Sequence, residues 1–566
     1  MTNQPAIQRP SHRLVADLEH VLGDPLHGDG PFSFARIVEH EEREQLPPGA
    51  VDLVRAWGFW DFLVPEHDGG RMRNLETAFL LTRTLARRNL TVAIMFGSTV
   101  LGALPVWLYG DEPQRKQVAA GLLDGGLACF GVSEREHGSD LGANGTTAVV
   151  TAEGYRLSGE KWPVGNATRG RFVTVLATLD GGGPSLFLLD KAAADPATMD
   201  NSPFVATVGL RGHDLSGITL NGTTVPSGAL LGRRGRGLIQ VLKTLQITRV
   251  AIGALSIGTM DSVLRIGLEY AYRRHLYAAE IYRLPAIRDL LVGAHLDLLI
   301  AECTALPVAR ALSVAPSRLS LWSSVVKYLV PLIGEEVVAH VGRVLAARAY
   351  MRDDPGTSAF QKLQRDHAIA SVFEGTTHVN LLHIATQLPP VASAEDDGDG
   401  AAEALLATLF GFSREVPAWT PSGRDLQLTN ASQDEITRGW PAAVRRLRAA
   451  AASLPEKVRA DLIAVVTALD ERRTALYAAI TRDGIDPASV YGMRQAAEHC
   501  VHHAAASCVY TWLYHQPAPA ERLVLLLQRL RQRLDRDVML SEEYFVVVEA
   551  DIERARAAGA TFSVLG

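Results

Sequence analysis

Cysteine is scarce in this chain of 566 residues. The four present, Cys129, Cys303, Cys500 and Cys508, are too few and too scattered for a disulfide framework, so a reducing compartment, the cytoplasm, is expected. Positive charge is not in excess either. The net charge is −6, which argues against a dedicated nucleic-acid binder, because phosphate recognition needs a concentrated cationic surface. Residues 1–13 are polar, contain two prolines and lack the apolar core of a signal peptide. The most apolar candidate for a membrane span, residues 284–303, is interrupted by Arg288, Asp289, His295, Asp297 and Glu302, so no span is expected. No internal repeat is visible.

Apolar bulk, by contrast, is plentiful. Hydrophobic residues make up 47% of the chain, enough to bury large cores, and the length calls for roughly three or four domains. Residues 1–126 read as helical. Apolar spacings of three and four recur over 76–88 and 92–104, and Asp111-Glu112-Pro113 predicts another helix start with Asp111 as N-cap. Residues 127–237 change to short β-rich runs between Gly, Asp and Asn turns, for example 171–178, 185–189 and 218–220. Helix returns over 238–388, beginning with an apolar run to about residue 279 that contains no proline. Its small residues, including Ala251, Gly253 and Ala254, suit close helix packing. An acidic, Pro- and Gly-containing stretch at 389–400 reads as a linker, and 401–566 as a helical extension.

Five segments carry chemistry. Residues 365–380 read Arg-Asp-His-Ala-Ile-Ala-Ser-Val-Phe-Glu-Gly-Thr-Thr-His-Val-Asn, which sets Glu374 between a helical apolar pattern and a turn, where a carboxylate can reach into a cleft. Residues 129–140, Cys-Phe-Gly-Val-Ser-Glu-Arg-Glu-His-Gly-Ser-Asp, begin as a strand and end in a turn whose glycine and serine can donate to an anion. Residues 155–167 read Tyr-Arg-Leu-Ser-Gly-Glu-Lys-Trp-Pro-Val-Gly-Asn-Ala. Residues 209–216, Gly-Leu-Arg-Gly-His-Asp-Leu-Ser, precede Val225-Pro226 and Leu230-Leu231-Gly232, and Val-Pro-Glu-His-Asp-Gly-Gly lies upstream at 64–70. Thr248-Arg249 and Tyr-Ala-Tyr-Arg-Arg-His-Leu-Tyr-Ala at 270–278 complete the set. Each alone has an ordinary explanation: a surface Glu, a β-turn, a solvated cation on a helix. Five in one order are far more specific.

In that order they resemble the motifs of the acyl-CoA dehydrogenase and acyl-CoA oxidase superfamily, over roughly residues 30–390. The resemblance implies an α+β, mostly α, multidomain fold: an N-terminal helical domain, a middle β-domain and a C-terminal helical bundle, here with an extra helical domain. It implies a flavoenzyme that binds FAD and desaturates an acyl thioester, on coenzyme A or a carrier protein. Glu374 would be the base that removes the α-proton while hydride leaves for flavin N5. Phe130, Val132, Ser133, Gly138, Ser139, Val164, Gly165, Arg274, Tyr277, Thr376 and His378 would contact the cofactor; Arg249, Phe373 and Gly375 would contact substrate. Arg274 suits a phosphate because guanidinium offers forked donors. The expected electron acceptor is an electron-transferring flavoprotein or, in an oxidase, O2. The extension implies a homodimer. A rival of another class is a superfamily member that serves as a binding or scaffold protein.

The chain departs from the family pattern at several points, of which three bear most on the cofactor. Pro163 stands where a flavin-packing Trp is usual, and Gly165 where a Thr hydroxyl meets the flavin near N5. The glycine-rich loop that meets the dinucleotide is Ala346-Ala347-Arg348-Ala349-Tyr350, without a glycine. Outside the motifs, His499, Cys500, His502, His503 and Cys508 cluster on an expected helix but lack the Glu of a zinc-protease pattern, and are read as structural rather than metal-binding. The arginines of 522–536 are read as an amphipathic helix face.

Overall fold

The computed structural model describes residues 9–354, 356–394, 400–515 and 518–565. The chain divides into two compact units, one of residues 17–251 with 418–428, the other of 252–417 with 429–566 and the amino-terminal residues.

In the first unit, the helices Leu75–Arg88 and Leu90–Tyr109 meet at Asn89, whose side chain accepts from Thr91 N–H at 3.0 Å and starts the second helix. Glu112–Leu123 starts with a full capping box between Asp111 and Gln114, as the Asp-Glu-Pro sequence implies. Leu90–Tyr109 lies on the strand Ala128–Gly131. A Cβ on Gly102 would fall 2.5 Å from the Cys129 backbone, so this approach needs glycine. That strand runs parallel to Phe172–Leu179 in an eight-stranded sheet whose main path passes through Leu215–Pro226, Gly154–Gly165, Thr147–Thr151, Phe172–Leu179 and Gly183–Asp190. Alternate residues, among them Leu157, Val164, Val173, Val175 and Phe187, form its core. The ladder between Gly154–Gly165 and Leu215–Pro226 shifts register between Lys161 and Val164, around Trp162 and Pro163. A bulge suits a proline, which has no N–H to give a ladder.

The second unit is helical. Pro285–Val314 and Leu319–Leu345 form its centre with Thr377–Ala392 and Val490–Tyr514. Three differences from the sequence-based expectation follow. The bundle and the 401–566 extension form one compact unit rather than two, because Asp297, buried in the middle of Pro285–Val314, is bound by Arg529 at 2.7 Å and Arg533 at 3.1 Å. Burial would raise that carboxyl, but the two guanidinium groups hold it down. These arginines are therefore structural anchors and not a solvated face. Second, Thr377–Ala392 runs through Pro389 and Pro390, so the helix covers the start of the expected linker; residues 395–399 lie outside the described residues. Third, the long helix Gly237–Arg273 stops before 279, where Tyr277 and Ala278, both at positive φ (54° and 63°), turn the hairpin His275–Leu276/Ala279–Glu280.

Residues 560–564 strap the bundle. Phe562 N–H donates to Asp261 at 2.7 Å, and Glu302 accepts from Ser563 Oγ and Val564 N–H, both at 2.7 Å. The Phe562 ring is fully buried under the Arg265 guanidinium. Leu90–Tyr109, Gly237–Arg273 and Pro285–Val314 are long and apolar enough to cross a membrane by length and composition, against the sequence reading. Most of each apolar window is buried in protein, and all of it in Pro285–Val314.

Candidate active site

Glu374 lies in the turn between Ala359–His367 and Thr377–Ala392. Its φ is 57°, in the left-handed region, and Gly375 follows at 106°. A side-chain-bearing residue there costs about 1–2 kcal/mol, so neighbouring contacts must hold the turn. Lys327, buried on Leu319–Leu345, donates to Ala370 O at 2.8 Å and lies 5.8 Å above the Phe373 ring. Asn380, also buried, donates to Gly375 O at 2.9 Å and Thr376 O at 3.0 Å. Thr376 caps Thr377–Ala392, and a Lys362–Asp366 ion pair stiffens the preceding helix. Glu374, Gly375, Phe373 and Thr376 are half-buried and His378 is exposed. The sequence-assigned base, its glycine and its capping threonine thus share one braced turn.

A second constellation sits on the sheet. Val132 is buried, while Phe130 and Ser133 are half-buried at the end of Ala128–Gly131, and Gly138 and Ser139 are exposed in the following loop. Lys161 fixes the approach of this segment to the next strand. Its ammonium donates to Val132 O at 3.3 Å and Glu134 Oε1 at 2.8 Å, and also to Asn144. Burial lowers Lys161 to about 8, which leaves it protonated at neutral pH. Burial alone would raise Glu134, but the hydrogen bonds from Lys161, Gly145 N–H and Thr146 outweigh it and hold the carboxyl at about 2. Trp162 N–H donates to Ser133 O at 3.0 Å, which links the two segments. Val164 is buried and Gly165 half-buried beside it. Asn166 then ties the strand end to the helix Leu90–Tyr109, donating to Met95 O at 2.8 Å and Thr99 Oγ1 at 3.1 Å.

The remaining assigned residues are spread over both units. Arg249 is buried on Gly237–Arg273 in the first. Arg274, just before the 275–280 hairpin of the second, and Tyr277, at its turn, are exposed, and Arg274 has no ion pair among the described residues. Ala346, at the first position of the altered glycine-rich loop, has φ 52° and ψ −126°, a conformation that favours glycine. The backbone therefore keeps a glycine-like bend without the glycine. Arg348 in that loop is paired with Asp354. The helical histidines are buried; His499 Nδ1 lies 2.9 Å from the Tyr477 hydroxyl, and among the described residues no group of His, Cys, Asp and Glu has the arrangement of a metal site.

Several supporting residues escaped the sequence reading. Lys161 and Glu134 lie inside quoted motifs, but their contact spans 27 residues and no local pattern pairs them. Lys327 is 43 residues from its acceptor. Asn380, four residues after Thr376 in the first helical turn, was the one readable from spacing.

Three family models match in chain order: acyl-CoA dehydrogenase, N-terminal domain, over residues 34–126; the middle domain over 129–223; and the C-terminal domain over 235–388. A probable acyl-CoA dehydrogenase of Mycobacterium leprae (strain TN) is 25% identical over 344 residues, 60% of this chain and 87% of that protein. The solved acyl-CoA dehydrogenase complexed with FAD from Bacillus anthracis is 19% identical and covers 97% of this chain and 96% of its own, with a TM-score of 0.63. The prolyl acyl carrier protein oxidase AnaB is 20% identical, covering 66% of this chain and 98% of its own, with a TM-score of 0.58. At these identities the solved structures speak for the fold, and the Bacillus structure extends that likeness through the 401–566 helices.

Proposed function

Because the chain belongs to the acyl-CoA dehydrogenase family, we propose that it is an FAD-dependent oxidoreductase that introduces an α,β double bond into an acyl thioester, with Glu374 as the base. FAD is the cofactor of this family. The groups present suit it. Phe130, beside the buried Val132, offers apolar surface for a ring, the Ser133 hydroxyl and the backbone around Gly138 and Ser139 offer donors, and Arg274 offers an exposed guanidinium for phosphate. Bound FAD would accept the β-hydride.

The protein's own part is the proton. The Glu374 carboxylate takes the pro-chiral α-proton and becomes a carboxylic acid; the electron pair of the broken C–H bond forms the double bond as hydride leaves the β-carbon. Negative charge develops on the thioester oxygen, and the Glu374 backbone N–H donates to it. Gly375 leaves room for the thioester to pass the backbone, and Phe373 flanks the acyl chain. Arg249 orients the substrate from its own helix. The observation that carries this reading is the positive-φ Glu374 on a turn braced by Lys327 and Asn380, since a strained residue held by buried donors marks a functional position. Anaerobic titration of purified protein with a panel of acyl thioesters tests it. Bleaching of the flavin is expected, and Glu374→Gln should abolish it with flavin retained; bleaching by the variant would sink the assignment.

The altered motifs at Pro163 and Gly165 favour a second possibility for the carrier of the acyl group. A carrier-protein-bound acyl group, as in the name of the prolyl acyl carrier protein oxidase, becomes a candidate beside coenzyme A, and O2 is the alternative acceptor to an electron-transferring flavoprotein. Steady hydrogen peroxide production in air selects the oxidase. A homodimer is the proposed assembly, and a tetramer by light scattering would refute it.

A further inference from the structure

Gly165 stands where the family resemblance expects a threonine hydroxyl near flavin N5. A Cβ built on Gly165 would lie 2.6 Å from Ser98 Oγ and 3.0 Å from His213 Nε2. The volume of the missing side chain therefore already holds two polar atoms. Ser98 comes from the helix Leu90–Tyr109, and His213 from the loop that enters Leu215–Pro226. The spacing is fixed, because Asn166, next to Gly165, is hydrogen-bonded to Met95 and Thr99 on the same helix as Ser98. Neither the Ser98 hydroxyl nor the His213 ring makes a hydrogen bond among the described residues. Burial pushes the His213 imidazole down to about 4, so it is neutral at physiological pH.

Flavin N5 accepts a hydrogen bond when oxidised and carries a hydrogen when reduced. The Gly165 backbone N–H can only donate. A hydroxyl and a neutral imidazole can each donate or accept. We infer that Ser98 and His213 are positioning residues for the flavin, supplying from a helix and a loop the reversible polar contact that a threonine at 165 would supply from the strand. This rests on the reading of residues 162–166 as the flavin wall. It also explains how glycine is accommodated there: with Ser98 in place, a larger residue has no space.

The test is the reduction potential and visible spectrum of the flavin in the purified holoprotein, measured by dye equilibration. Ser98→Ala and His213→Ala should each shift the two-electron equilibrium about tenfold towards oxidised flavin, about 30 mV, because the reduced form loses an acceptor. His213→Gln, which keeps a neutral donor and acceptor, should stay close to wild type. The exchange Ser98→Gly with Gly165→Thr should restore the potential lost in Ser98→Ala, and it carries the test if His213→Ala fails to fold. Flavin-loaded Ser98→Ala and His213→Ala with unmoved potential and spectrum would overturn the inference alone, as would His213→Gln behaving like His213→Ala. A wild-type protein that binds no flavin would overturn the inference and the proposed function together.

Discussion

The Glu374 turn and the Trp162–Gly165 wall keep their geometry by opposite means. At Glu374 the Glu-Gly-Thr residues of the motif are retained, and the turn is held from outside by a lysine and an asparagine on neighbouring helices. At the wall several motif side chains have changed, yet the backbone is pinned from within by the buried Lys161–Glu134–Asn144 network and by Asn166. The carboxylate proposed as the base must keep its identity, since no backbone group can replace it in that role. A cofactor wall can exchange side chains provided the strand positions and the local donors survive.

The comparison breaks most sharply at Glu374 itself. Glu374→Gln should lower turnover by about 10³-fold or more while the flavin stays bound, the scale for loss of a general base; single-turnover flavin bleaching measures it. On the wall side, Lys161→Met removes the cation that binds Glu134, Val132 O and Asn144 and should lower stability by about 1–3 kcal/mol, read from the urea midpoint, with flavin released before the bundle unfolds. Asn380→Ala removes two neutral hydrogen bonds of about 1 kcal/mol each. It should slow turnover about tenfold by loosening the Gly375 turn, at unchanged flavin content, whereas Asn166→Ala should release flavin before it affects chemistry.

A further contrast is a difference in acid sensitivity between the two units. In the bundle unit, burial pushes His295, His340, His367, His499 and His503 down to about 4. In the sheet unit, His213 alone among the described imidazoles shows a comparable shift. Unfolding returns each to its ordinary value near 6.5, so the unfolded chain binds more protons between the two values. The stability these neutral rings contribute is complete above about 6.5, falls as pH drops and is exhausted near 4. Hydrogen exchange at pH 7 and pH 5 should show protection lost first in Leu319–Leu345 and Val490–Tyr514; equal loss in both units would refute the comparison.

Where function was legible in the sequence, it was legible through local signals. Glu374-Gly375-Thr376 is contiguous, its N-cap follows from residue type, and the alternating strands announced the sheet. Asp111 and its helix were readable for the same reason. The misses share a cause as well. The hairpin at Tyr277 and Ala278 requires positive φ at two residues that do not advertise it. Pro389 and Pro390 sit in a helix because packing around Leu388 and Val391 outweighs local preference. Lys161, Lys327 and the Arg529–Asp297 pair act across 27 to 232 residues, and no spacing rule reaches that far. The same holds for Ser98 and His213, which meet at Gly165 only once the strand and the helix have been brought together.

The strap at 560–564 sets an order of events during synthesis. Asp261 and Glu302 receive backbone donors from residues 301 and 262 positions later in the chain. At about 5–20 residues per second, the ribosome delivers those donors on the order of tens of seconds after the two acids have been made. Until then the two acids lack these donors, so this part of the bundle is completed only once residues 562–564 have been made.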